Sequence, residues 1–333
     1  MSSKKTNRVG SVVAFLLSAI FIAAAGWLFL NRQYALDWLT VQSYTPSSAV
    51  TSIDQRVKFT KKGQFVFFAT KPQVEDQAVF NKECPRQEAG SPILGCYTTD
   101  DRIYIYDLTN DKLNGMEEVT AAHEMLHAVW YRTSKTDQEK LATELRAAYE
   151  KLDDKELKNR MDYYQRTEPG EFNNELHSIL GTEVASLGEP LESYYKQFFD
   201  RASVLALHDQ YRSVYTALYT RADELYTKMQ TLSASIEQRS TRYSTDAAQL
   251  TADINSFNSR AQNGGFSSRA QFNSERAALV RRSNTLESER EGINADIATY
   301  NGYYNEYQEI AKQVEVLNDS IDSFKKIEQA PSV

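Results

Sequence analysis

The sequence predicts an α+β protein in three parts: an N-terminal transmembrane helix, a small mixed domain, and a long antiparallel helical coiled-coil hairpin at the C-terminal end. Three observations carry that expectation. Val9–Leu30 is uncharged, mostly apolar and long enough for a helix to cross a ~30 Å hydrocarbon core. From about Ala202 onward, apolar residues recur alternately four and three positions apart, the spacing of a heptad seam. Between these regions, β-branched and aromatic runs bounded by turn residues are interleaved with helical periodicities.

Lys4, Lys5 and Arg8 precede the apolar run, whereas Arg32 and Asp37 follow it. The positive-inside bias makes residues 1–8 a cytoplasmic tail, 9–30 a single-pass anchor in the cell membrane, and the remainder extracytoplasmic. Trp27, Tyr34 and Trp38 suit the outer interface. The alternative is a signal peptide cleaved near Ala23-Ala24-Ala25, but the run continues through Leu30, beyond a usual signal core. Residues 31–49 read as a juxtamembrane linker, turn-rich at Tyr44-Thr-Pro-Ser-Ser48. Cys84 and Cys96 bracket another turn-rich stretch and read as a disulfide, in keeping with an oxidising compartment. A bridge over so short a loop contributes about 3 kcal/mol on the chain-entropy model. Net charge is −7 and no Lys/Arg-dense tract occurs, so nucleic acid is not an expected partner.

Residues 50–201 form the mixed domain. Gln64–Thr70 and Arg102–Asp107 are expected strands. That helix starts near an Asn114/Glu117 capping pair and contains Val119-Thr-Ala-Ala-His123-Glu124-Met-Leu-His127-Ala-Val-Trp130. Two imidazoles four residues apart share one helical face and can reach a single ion, and Glu124 stands beside them as a proton acceptor. The chain has four histidines and two are here. Further helices are expected over Asp137–Leu152 and Glu171–Leu187, with Gly188-Glu-Pro190 ending the last. The hairpin occupies 202–328. Tyr211, Tyr215, Leu218, Ala222, Leu225, Met229, Leu232 and Ile236 line its first arm, the phase slips near Tyr243, Ala247, Leu250, Ile254, Phe257 and Ala261 resume it, and Asn263-Gly-Gly265 turns the chain. Ile293, Ile297, Tyr300, Tyr304, Tyr307, Ala311, Val314, Ile321 and Phe324 line the second. Each arm of ~60 residues extends about 90 Å, and 329–333 is an expected disordered tail.

A catalytic zinc usually takes a third protein ligand, and Trp130 and Thr133 stand where a metzincin would carry Gly and His. The polar segment Asn174-Glu175-Leu-His177-Ser178-Ile179-Leu-Gly181-Thr182-Glu183 is the source, with Glu175, Glu183 and His177 as candidates. HExxH followed on a later helix by Asn-Glu-x-x-Ser-x-x-x-Gly-Thr resembles the gluzincin, thermolysin-like, zinc peptidases. That resemblance implies a zincin-like catalytic domain that hydrolyses peptide bonds, with His123, His127 and Glu175 on Zn2+, Glu124 as general base, Gly181 as the small residue at a close helix approach, and residues 102–107 as the sheet edge against which substrate lies. Where that family has an acidic residue four after the ligand Glu, this chain has Ile179, so support for the zinc-bound imidazoles must come from another group or be absent. The arrangement of anchor, cysteine loop, both motifs and coiled coil further resembles a group of membrane-anchored bacterial proteins without an assigned function. Substrate would be a peptide or protein. The alternative reading is a non-catalytic envelope scaffold whose coiled coil binds an envelope partner or a second copy, with a structural or vestigial metal site.

Overall fold

The structure, a computed structural model, describes residues 5–85 and 93–323; residues 1–4, the interior of the cysteine loop, Phe324 and the expected tail lie outside them. The helices in chain order are α1 (Lys5–Leu30), α2 (Arg32–Ser43), α3 (Ser48–Val57), α4 (Lys61–Ala69), α5 (Gln77–Glu83), α6 (Met116–Arg132), α7 (Lys135–Tyr149), α8 (Lys155–Thr167), α9 (Phe172–Glu183), α10 (Glu189–Tyr195), α11 (Arg201–Gln262) and α12 (Arg269–Ile321). The strands are β1 (Gln73–Glu75), β2 (Gly95–Tyr97) and β3 (Ile103–Tyr106). The chain is mostly helical, 79%, with one small sheet. It divides into two compact units, residues 1–214 with 317–333, and residues 215–316.

In the first unit, local polar chemistry sets where helices start. Ser47, Thr60, Asp76, Ser134 and Asp154 each accept a hydrogen bond from a backbone N–H of the turn that follows, satisfying donors that a helix N-terminus leaves unpaired. Gly10–Leu30 within α1 is long and apolar enough to cross a membrane. Residues 31–49 are not a linker. After Asn31 the chain re-enters a helix, and α2 packs on α4 because Asp37 is drawn inward by Arg132 at the end of α6. Arg132 donates to Asp37 at 2.8 and 2.9 Å and to Asp101 at 2.7 and 2.9 Å, so one guanidinium ties together α2, α6 and the turn between β2 and β3. Burial opposes its charge, and the two carboxylates more than restore it.

The expected strand at 64–70 is instead the helix α4. Its Phe-Val-Phe-Phe run looks strand-like because this short helix is buried or half-buried on most sides and so shows no polar face. The helix α8, mostly polar, is an addition to the expected elements; Leu157, Met161 and half-buried Tyr164 form its inward row. The metal-motif helix is capped by Gly115 in the left-handed region (φ 101°) rather than by Asn114. Asn114 instead accepts from Arg56, and Glu117 accepts from Leu108 N–H at 2.7 Å. A Cβ at position 115 would sit 2.7 Å from Leu207 O, which independently requires glycine there.

Strand order is β1-β3-β2, with β1 parallel and β2 antiparallel to β3. The strand expected at the edge, β3, is therefore central, and the short β2 is the edge beside α6. Cys84 and Cys96 are disulfide-bonded, fastening β2 to the end of α5.

The second unit is an antiparallel pair formed by α11 and α12, with the turn at Asn263-Gly-Gly265 and Gly264 at φ 69°. Arg221–Glu306, Arg239–Glu289 and Arg282–Asp253 ion pairs fix the register. The first arm buries the expected seam: Leu225, Met229, Leu250 and Phe257 are its most enclosed residues. The opening turns of α11, up to Val214, belong to the first unit, as do the last turns of α12 from Leu317. The second arm differs from expectation. Its inward row is Ile293, Asp296, Tyr300, Tyr303, Tyr307 and Ile310, leaving Ile297 and Tyr304 exposed. Arg239 explains the shift: it enters the seam where the heptad slips, lies against Gly292, and pairs with Glu289 and Asp296.

Candidate metal centre

One helical turn separates His123 from His127, so their rings lie on one face of α6 with centroids 4.8 Å apart. Opposite them α9 presents Glu175, with Oε1 3.5 Å from His127 Nε2 and Oε2 3.7 Å from His123 Nε2. The potential ligand atoms of the three residues all lie within 4.8 Å of one another, and this group could hold a metal ion. Close approach of α9 to α6 depends on Gly181, where a Cβ would meet Leu126 Cδ1 and Tyr195 Cε1, each at 2.6 Å. Met125 and Leu126 on one helix and Leu176, Ile179 and Leu180 on the other share a single core.

Electrostatics favour a cation at the convergence. Glu175 Oε2 is buried without a hydrogen-bond partner, since 3.7 Å to His123 is too long for one. An orphaned carboxylate oxygen in a protein interior is costly, and an ion shared with the imidazoles removes that cost. Burial pushes the Glu175 carboxyl up, but His127, His123 and Arg160 outweigh it and leave it lowered. For His123 burial acts downward and the carboxylates of Glu175, Glu124 and Glu183 reverse it, so it is raised. Glu124 is raised, chiefly by burial.

The rival ligands are engaged elsewhere. Glu183 accepts from Arg160 at 2.7 Å and faces His208 at 3.9 Å. His177 is fully buried among Trp130, Tyr194 and Tyr195, with Nε2 2.9 Å from Tyr194 Oη. Burial pushes its pKa down to about 3, so it is neutral.

Ile179, standing where the family pattern has an acid, is a core residue. The polar partners of His127 are Asn174 and Ser178. His127 Nδ1 lies 2.9 Å from Asn174 Oδ1 and 3.3 Å from Ser178 Oγ, while Asn174 Nδ2 donates to Glu171 Oε2 at 2.9 Å. With Nδ1–H donating to Asn174, the Nε2 lone pair faces Glu175, and a carboxylate still backs the imidazole at one remove. The sequence motif includes Asn174 without revealing this role; its spacing of four from Ser178, one helical face, is the available signal. Replacing Asn174 with Leu should weaken metal binding about 10–100-fold with the fold retained. Competition against a chromogenic chelator measures this, and unchanged affinity would remove Asn174 from the account.

No protein-family model matches this chain, and no curated protein or solved structure matches it.

The remaining wall of the centre is β2. Tyr106 N–H donates to Leu94 O and Thr98 N–H to Arg102 O, so alternate residues of β2 turn their backbone groups toward β3. Gly95 and Tyr97 turn theirs the other way, and Tyr97 N–H faces the Glu124 carboxylate, acting against the rise that burial causes. Strand and helix approach so closely that a Cβ at Gly95 would lie 2.5 Å from Thr120 Cγ2 and 2.9 Å from Glu124 Cγ. Arg201 stabilises the far end of α9, where its guanidinium donates to the carbonyls of Leu180, Val184 and Ala185. A cavity of about 370 Å3, walled by the C-terminal end of α6, by α7 and by the approach to α9 (Trp130, Tyr131, Arg146 and Glu171), is lined by none of His123, Glu124, His127 and Glu175.

Proposed function

We propose that this protein is a membrane-anchored, extracytoplasmic zinc peptidase of gluzincin type. The observation that carries the reading is the convergence of two imidazole Nε2 atoms on Glu175, one of whose buried oxygens has no partner, with Glu124 alongside. Two nitrogens and one carboxylate are a donor set of catalytic zinc sites, and the three groups, with ligand atoms within 4.8 Å of one another, need only a small inward adjustment to reach the roughly 3.3–3.6 Å spacing around a tetrahedral ion. Zinc held there would supply Lewis acidity, bringing the pKa of water near 7 and polarising a peptide carbonyl.

The chain's own residues supply the rest. Glu124, oriented by Tyr97 N–H, takes the proton from the attacking water at its carboxylate and delivers it to the departing amine nitrogen. The outward backbone groups of β2 other than Tyr97 N–H suit an extended peptide that adds as a further strand beside Glu124. His123, His127 and Glu175 hold the metal, and Asn174 keeps His127 in the required tautomer. The apolar segment of α1 anchors the molecule, and the basic residues before it favour a cytoplasmic N-terminus.

The scaffold reading draws its support from the apolar residue at 179, and the Asn174–Glu171 relay offers the imidazole a polar substitute for the missing acid. Hydrolysis of casein or a peptide library by the detergent-solubilised chain separates the two. Cleavage should disappear with a chelator and return with added zinc. Bound metal without chelator-sensitive cleavage would favour the scaffold.

A further inference from the structure

The hairpin has two unlike broad faces. Taking its inward rows as heptad positions a and d, Tyr215 and Ala222 on α11 are a, while Leu218 and Leu225 are d. On α12, Ile293, Tyr300 and Tyr307 are a, and Asp296, Tyr303 and Ile310 are d. Because the arms run in opposite directions, their g positions share one face and their e positions the other. The g face is charged: Arg221 pairs with Glu306, Glu224 adds a second carboxylate to Arg221, and Lys228 stands one heptad further.

The e face carries Tyr219 and Tyr226 from α11 and Ile297 and Tyr304 from α12, exposed by 52%, 53%, 40% and 48%. The Arg221–Glu306 register places them in the order Tyr219, Tyr304, Tyr226, Ile297 along the axis, alternating between the arms. The neighbouring b positions are Gln230, Asn294, Asn301 and Gln308, with Asp223 the one charged residue among them. Tyrosine-rich, charge-poor and bordered by amides, this is the composition of an interface core, opposite a face built for water.

We propose that this e face is the contact surface between two copies of the chain, stacked about a two-fold axis into a four-helix bundle. Area favours a second copy. Each half-exposed aromatic leaves on the order of 100 Å2 uncovered, so the patch offers roughly 400 Å2 of mainly apolar surface per copy. A standard dimer buries about 800 Å2 per partner, a little over half of it apolar, or roughly 450 Å2. A two-fold contact also sets a face nearly free of charge against itself, so no block of like charges is brought together.

The test uses the full chain in detergent, by analytical ultracentrifugation and by crosslinking through introduced cysteines, the two native ones being disulfide-bonded. Wild type should sediment as a dimer. The double substitution Tyr226→Glu with Tyr304→Glu should weaken dimerisation at least about 100-fold, while Ala295→Glu on the opposite face should leave it intact. Helical circular dichroism of each variant shows whether the hairpin is preserved. Tyr226→Cys should form an inter-copy disulfide and Lys228→Cys should not. A monomeric wild type, a dimer insensitive to the e-face charges, or equal crosslinking from positions 226 and 228 would each overturn the proposal.

Discussion

Glu124→Gln should lower peptide hydrolysis by about 10²–10⁴-fold, the usual contribution of a positioned general base, while metal content stays at the wild-type level. The amide has nearly the shape of the carboxylate and can still meet Tyr97 N–H through its oxygen, so the wall formed by β2 keeps its place. What is lost is the capacity to hold a proton. Because the group is not one of the three converging ligands, the expected signature is split: turnover falls and metal affinity does not. Metal analysis of the same sample that is assayed reads both halves. Undiminished hydrolysis would eliminate Glu124 as the base.

The second large effect concerns stability. Arg132→Met should destabilise the first unit by about 3–5 kcal/mol, because it leaves carboxylates beside one another without their shared cation. Asp37 is almost fully buried and Asp101 lies close by, both bonded to the same guanidinium. For a unit of this size the loss corresponds to a melting temperature lower by about 6–20 °C. Adding Asp37→Asn to Arg132→Met should recover part of it, since the worst-buried charge is then gone. A melting temperature within about 2 °C of wild type would show that the cluster does not bind α2 to the body.

How far the sequence speaks depends on whether the governing contact is local. His123 and His127 are related by one helical turn, and the first-arm seam by heptads, so both are legible in spacing alone. Glu175 is reached through a motif on a separate helix, and its approach to the imidazoles needs a tertiary contact at Gly181 that no local pattern records. The helix α4 reads as a strand because burial on most sides erases the polar face that distinguishes the two. The expected linker is α2 on account of Arg132, distant in sequence. Ile297 and Tyr304 look inward-facing because they are apolar; Arg239 and Gly292 rotate the second arm so that Asp296 takes the inward place. In the last two cases a charge or a glycine on a remote element decides the outcome.

Metal stoichiometry of the purified chain, measured for wild type beside Glu175→Ala, tests the central claim most directly. The account predicts one zinc per wild-type chain, loss of tight binding in the Glu175 variant, and wild-type binding in Glu183→Ala, whose residue pairs with Arg160 instead. A wild-type chain that binds no zinc, or a Glu175→Ala variant that binds it as tightly, would contradict it.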